Sequence, residues 1–142
     1  MSENSRSLSA GPLFETPADR VLQRVPRRIV EVFRRCLAAD GPVDAAQAVA
    51  ARLRQIEELA ANREFVDITL ATRVADRCRE LVVRVDPNGA DPRAALVRAA
   101  LRYFLLETDA EPDSAVLGFD DDAAVVAAVA SELGFHDLID AA

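Results

Sequence analysis

Apolar positions recur every three or four residues along most of the chain, and that period predicts helices. Val21, Val25, Ile29, Val32, Phe33, Cys36 and Leu37 form the first stripe. It opens at Thr16-Pro17-Ala18-Asp19, with a hydroxyl at the cap, proline in the first turn and an acid three positions on. Pro26 predicts a kink, or a division into a short helix and a longer one. Asp40-Gly41-Pro42 ends the pattern.

Four further stripes follow. Asp44 can cap a second helix running to about residue 61, with Val49, Leu53 and Ile56 on one face. After a weak break at 62–65, Asp67 caps a third, carrying Ile68, Val74, Cys78, Leu81 and Val85 inward. Its LVVRV segment at 81–85 is β-branched enough for a strand, but the spacing continued from Ile68 favours helix. Asp86-Pro87-Asn88-Gly89 is a turn. Asp91-Pro92 then restarts a helix in the same style, Asp91 at the cap and proline in the first turn, with Leu96, Ala99, Ala100, Tyr103 and Phe104 buried. A fifth is capped by Asp120 or Asp121, carries Val125, Val126, Val129 and Leu133, and stops at Gly134. Phe135, Leu138 and Ile139 can dock the end of the chain. The fold expected is all-α: a compact array of five or six helices, with an acidic loop between the last two main ones. Residues 1–15, Ser-rich and aperiodic, read as a disordered tail before one helical domain over 16–142.

Composition sharpens this picture without changing it. Of the 142 residues, 51% are apolar and only 5% aromatic, so the core must be built from Ala, Val and Leu. That favours closely packed helices. No apolar run is long enough for a membrane span, and the first residues lack the apolar core of a secretory signal. A cytoplasmic protein is expected. Cys36 and Cys78, on separate apolar faces and without a CxxC pair, read as buried free thiols. Charge is unevenly placed. Residues 1–102 hold all 17 basic groups against 14 acids, a net of +3, whereas 103–142 hold ten acids and no base. An acidic surface argues against general nucleic-acid affinity.

The acidic half carries a regular spacing: Tyr103, then Asp109, Pro112-Asp113, Gly118 and Asp121-Asp122. This resembles the YkvA-like family of small bacterial helical proteins, a domain of unknown function, over about residues 96–135. The family pattern is Y-x5-D-x2-P-D, then a Gly three residues before paired Asp. Where relatives place apolar residues before Pro-Asp, this chain has Ala110-Glu111, and its segment from Asp113 to Gly118 is one residue shorter and lacks a second proline. The membrane association of some relatives is therefore not carried over. The resemblance implies a structural motif around Tyr103, Pro112 and Gly118, and no established enzymatic activity.

The carboxylates admit two readings. Asp120, Asp121 and Asp122 suit a helix start, where side-chain oxygens accept free backbone N–H groups and complement the dipole. Alternatively, Asp109 and Asp113 meeting Asp121 and Asp122 across the loop would make an oxygen cage for Mg²⁺, Mn²⁺ or Ca²⁺. A calcium-loop match starting at Asp109 fails, because Ser114 stands where the sharp turn needs Gly and Asp120 replaces the final Glu. Catalysis has no second half: there is no Ser/His arrangement and no glycine-rich phosphate loop, and His136 reads as a surface residue. No resident cofactor is expected apart from that metal alternative.

Arg20, Arg24, Arg27, Arg28, Arg34 and Arg35 cluster on the polar side of the first stripe, opposed locally by Glu31. They are either a solvated face, a set paired with the acidic half, or a surface for nucleic acid or anionic lipid. The combined expectation is a non-enzymatic module that binds another protein, with homo-oligomerisation open. Metal binding at the acidic loop is the alternative, and nucleic-acid or anionic-surface binding by the Arg face is the second.

Overall fold

The computed structural model describes residues 15–62, 67–106 and 119–139. Among them are six α-helices and no strand: α1 Pro17–Arg24, α2 Val30–Ala38, α3 Ala45–Asn62, α4 Ile68–Arg84, α5 Arg93–Leu105 and α6 Asp120–Leu133. The all-α array is as expected.

Local chemistry accounts for most of the boundaries. Thr16 and Asp19 form a reciprocal capping box, each side chain accepting the other's backbone N–H. Pro26 divides the first stripe, and a 3-10 turn at Arg27–Ile29 leads into α2. Asp44 accepts from the Gln47 N–H and Asp67 from the Leu70 N–H, so both caps are where the sequence places them. The β-branched 81–85 segment is helical through Arg84. Gly134, at φ 83°, ends α6 in the left-handed region, and Phe135 N–H returns to the Ala130 carbonyl.

Two helix starts differ from expectation. α5 begins at Arg93 behind Pro92, and the Asp91 carboxylate accepts the Arg93 N–H while pairing with the Arg93 guanidinium. The residue before α6 is Phe119, which offers no side-chain cap, so neither Asp120 nor Asp121 fills that role. All three Asp lie inside the first turn, where they oppose the positive end of the helix dipole.

α5 is the centre of the array. It packs against α2, α3, α4 and α6, and seven of its residues are buried. Ala94, Ala99 and Ala100 let neighbouring backbones approach closely, while Leu101 and Phe104 fill the spaces between them. α3 and α4 form a helical hairpin, and α1 lies across α6. Leu138 is buried, whereas Ile139 is only partly covered, so the end of the chain docks less fully than its apolar residues suggested. Both cysteines are buried and free.

Candidate functional site

Of the residues the sequence singles out around the acidic loop, Asp109, Pro112, Asp113 and Gly118 lie outside the described residues. The two ends of that loop are described: Tyr103 to Leu106 at the C-terminus of α5, and Phe119 to Asp122 at the start of α6. The first of them is held by a buried arginine. Arg52 of α3 is 7% exposed, donating through Nε to the Phe104 carbonyl at 3.1 Å and through Nη2 to the Leu106 carbonyl at 3.2 Å. The last carbonyls of a helix have no partner within it and carry its negative dipole end, so a guanidinium there satisfies both needs.

Asp121 and Asp122 part company. Asp121 reaches outward to Arg28, 2.5 Å away. Asp122 sits on the apolar stripe with Val125 and Val126 and is half-buried. Burial pushes its carboxyl up to about 7; the Arg52 charge partly offsets this, and the neighbouring Asp121 adds to it. The same negative charge reaches two other groups. The Tyr103 hydroxyl is raised well above its ordinary value, first by burial and then by Asp122 and Asp121. The Cys78 thiol is pushed up to about 12 by burial, with Asp122 adding to the effect. A thiol so raised stays protonated at neutral pH and is a poor nucleophile. The junction thus holds one carboxyl poised to exchange a proton near neutrality, beside a fixed cation.

Among the described residues, no group of three or more His, Cys, Asp or Glu is placed to hold a metal ion. The cage imagined from Asp109, Asp113, Asp121 and Asp122 has two members outside the described residues, and the other two diverge.

The arginine face is largely spent within the molecule. Arg20 grips Glu132 of α6 with Nε and Nη2 at 3.0 and 2.8 Å, and Arg24 stands 3.6 Å from the same carboxylate. Arg28 takes Asp121, and Arg34 takes Glu31 within α2. Arg27 and Arg35 are exposed. His136 is exposed, and its neighbour Asp137 binds Arg84, whose guanidinium lies 5.0 Å over the Phe135 ring.

Sequence reasoning passed over Arg52, although the signal was present. It falls three residues after Val49 and four before Ile56, on the buried face of α3. Asp122 carries the same signal, being three and four residues before Val125 and Val126.

A different feature lies on the α3–α4 hairpin. Val83 is 79% exposed, the most exposed of the large apolar side chains described. With Ala45, Ala46, Val49, Arg79 and Val82 it lines an apolar hollow of about 170 Å³. Ala45, Ala46 and Val82 are shared with a larger hollow of about 570 Å³ that extends to Asp44, Asp86 and Pro87.

The chain matches no protein-family model, no curated protein and no solved structure. None of these comparisons supports the resemblance to the YkvA-like family. No helix among the described residues is long and apolar enough to cross a membrane.

Proposed function

We propose that this chain is a non-enzymatic protein-interaction module, working in the cytoplasm and related to the YkvA-like proteins through its Tyr103–Asp122 motif. One observation carries the reading: Val83 projects into solvent beside an apolar hollow, on a hairpin whose other exposed positions are mostly polar. An exposed valine alone is ordinary; a valine next to an apolar recess suits a contact that buries both. The buried Arg52 supports the reading from the other side, since it already serves the end of α5, and both thiols stay protonated.

Hydrogen exchange on the purified complex with any co-purifying protein tests this. Protection is expected on Ala45–Val49 and Arg79–Val83, and Val83→Asp is expected to abolish the complex. Protection confined to the α1–α2 arginines, or a complex indifferent to Val83→Asp, overturns the reading.

A further inference from the structure

We infer that the α3–α4 face is closed by a second copy of this chain, in a two-fold pairing of antiparallel α4 helices that seats Val83 of each copy in the other's hollow. The inference rests on the interaction-module reading and names its partner.

Shape comes first. The face carries both a projection and a recess: Val83 stands on the rim, and the hollow beside it exists because α3 opposes α4 there with Ala45 and Ala46. Its volume of about 170 Å³ is similar to the roughly 150 Å³ apolar cavity that takes a benzene, so an isopropyl group fits. A two-fold axis beside Val83 puts each projection into the other copy's recess. Such self-complementarity is what an isologous contact requires. An unrelated partner would need only one of the two features.

Charge points the same way. The two hollows share Ala45, Ala46 and Val82, forming one trough with Arg79 at one end and Asp86 at the other. Arg79 lies one helical turn before Val83, and Asp86 follows the end of α4, where it lines the larger hollow with Val82. Antiparallel pairing about Val83 therefore sets Arg79 of each copy against the second copy's Asp86, giving two symmetric opposite-charge contacts. Parallel pairing would set like against like. Arg79 is free to turn: its present partner Asp76, at 3.2 Å, is an exposed pair one helical turn away, a type worth little. Asp86 binds the Asn88 N–H through one oxygen, leaving the other able to accept. Each chain carries a net charge of -7, so long-range repulsion keeps the pairing modest.

Sedimentation equilibrium of the full chain, from low micromolar to near-millimolar concentration, tests the pairing. A reversible dimer is expected, weakened at least ~10-fold by Val83→Asp, a change of about 1.4 kcal/mol. Arg79→Asp and Asp86→Arg should each weaken it, since each sets like charges together at both ends. Mixing those two variants should restore a heterodimer, because both ends then pair opposite charges. A monomer at every concentration, a dimer unaffected by Val83→Asp, or a mixture that stays monomeric overturns the inference. If the chain is monomeric but Val83→Asp still abolishes a complex with another protein, only the second-copy partner falls. If that complex also ignores Val83→Asp, the interaction-module reading falls with it.

Discussion

At the α5–α6 junction, Arg52 is buried and Asp122 is half-buried on the apolar stripe of α6, whereas on the α3–α4 face Val83 stands in solvent among charged neighbours. Both places depart from the usual partition of residues between core and surface, in opposite directions. The difference lies in what compensates the departure. Arg52 finds two carbonyls at the end of α5 and a carboxyl beside it, so the buried charge has an account inside the molecule. Val83 has none, because the hollow next to it is open to solvent. A charge hidden with partners is a structural device; an apolar projection left without cover directs attention outward. The comparison can be broken at either end.

Arg52→Ala should have the largest effect. It strips the Phe104 and Leu106 carbonyls of their donor and leaves Asp122 without the cation beside it. Leaving a buried carbonyl without its donor costs about 1–3 kcal/mol, and two are left here. Urea denaturation should report a loss of that order. Arg52→Lys should recover only part of it, since an ammonium cannot reproduce the forked geometry. A loss below about 1 kcal/mol would show that solvent, not Arg52, satisfies the end of α5.

Much of the fold could be read from the chain because it is written locally. Thr16 with Asp19, Asp44, Asp67 and Gly134 act within a turn of where they stand, and Pro26 breaks the backbone it belongs to. The 81–85 segment was ambiguous only while read alone; the period begun at Ile68 decided it. The site was less legible, because its chemistry is tertiary. Arg52 reaches carbonyls more than fifty residues away, and an arginine on a helix reads as surface until its stripe position is weighed. The three consecutive Asp residues read as caps, yet φ and position put Phe119 in that place. Asp122 is then turned inward by the same stripe that buries Val125 and Val126. The Val83 face gave only a weak signal: Val83 stands two residues from both Leu81 and Val85 and so off the inward stripe, but the hollow beside it depends on the hairpin partner.

Asp122 should make stability depend on pH. Its folded-state carboxyl is raised from 3.8 to about 7, so between about pH 4 and 7 the folded chain holds a proton that the unfolded chain has released. Its contribution is therefore greatest below pH 4, declines as pH rises, and levels off above 7. The span is at most about 4 kcal/mol. The groups facing it set that span: Arg52 from α3 lowers the value, Asp121 beside it raises it, and Cys78 of α4 and Tyr103 of α5 remain neutral throughout. Asp122→Asn should flatten the slope and leave the variant more stable than the parent above pH 7. An unchanged slope would place the titrating group elsewhere.

Glu132 offers a milder perturbation of the same kind. It is 11% exposed and receives Arg20 and Arg24 of α1, tying α1 to the end of α6. The two arginines are well solvated, so water and salt screen much of the attraction. Glu132→Gln should lower Tm slightly, and the deficit should shrink as salt concentration rises. A deficit independent of salt would mean that packing of the side chain, not its charge, holds α1 in place.

The smallest change in stability belongs to Val83, and that smallness is what makes it informative. Its side chain is 79% exposed, so an aspartate there disturbs little of the folded monomer. Surface substitutions away from packed features usually stay within about 0.5 kcal/mol. A negative charge near the C-terminus of α4 adds an unfavourable dipole contact of a few tenths of a kcal/mol. Measured in dilute solution, where the chain is monomeric, urea denaturation of Val83→Asp should therefore nearly overlay the parent. At high concentration the parent alone should gain stability, because association stabilises the folded state by mass action. Equal curves at both concentrations would mean that Val83 is an ordinary exposed valine, and the contrast between charge kept in and apolar surface left out would lose its second half.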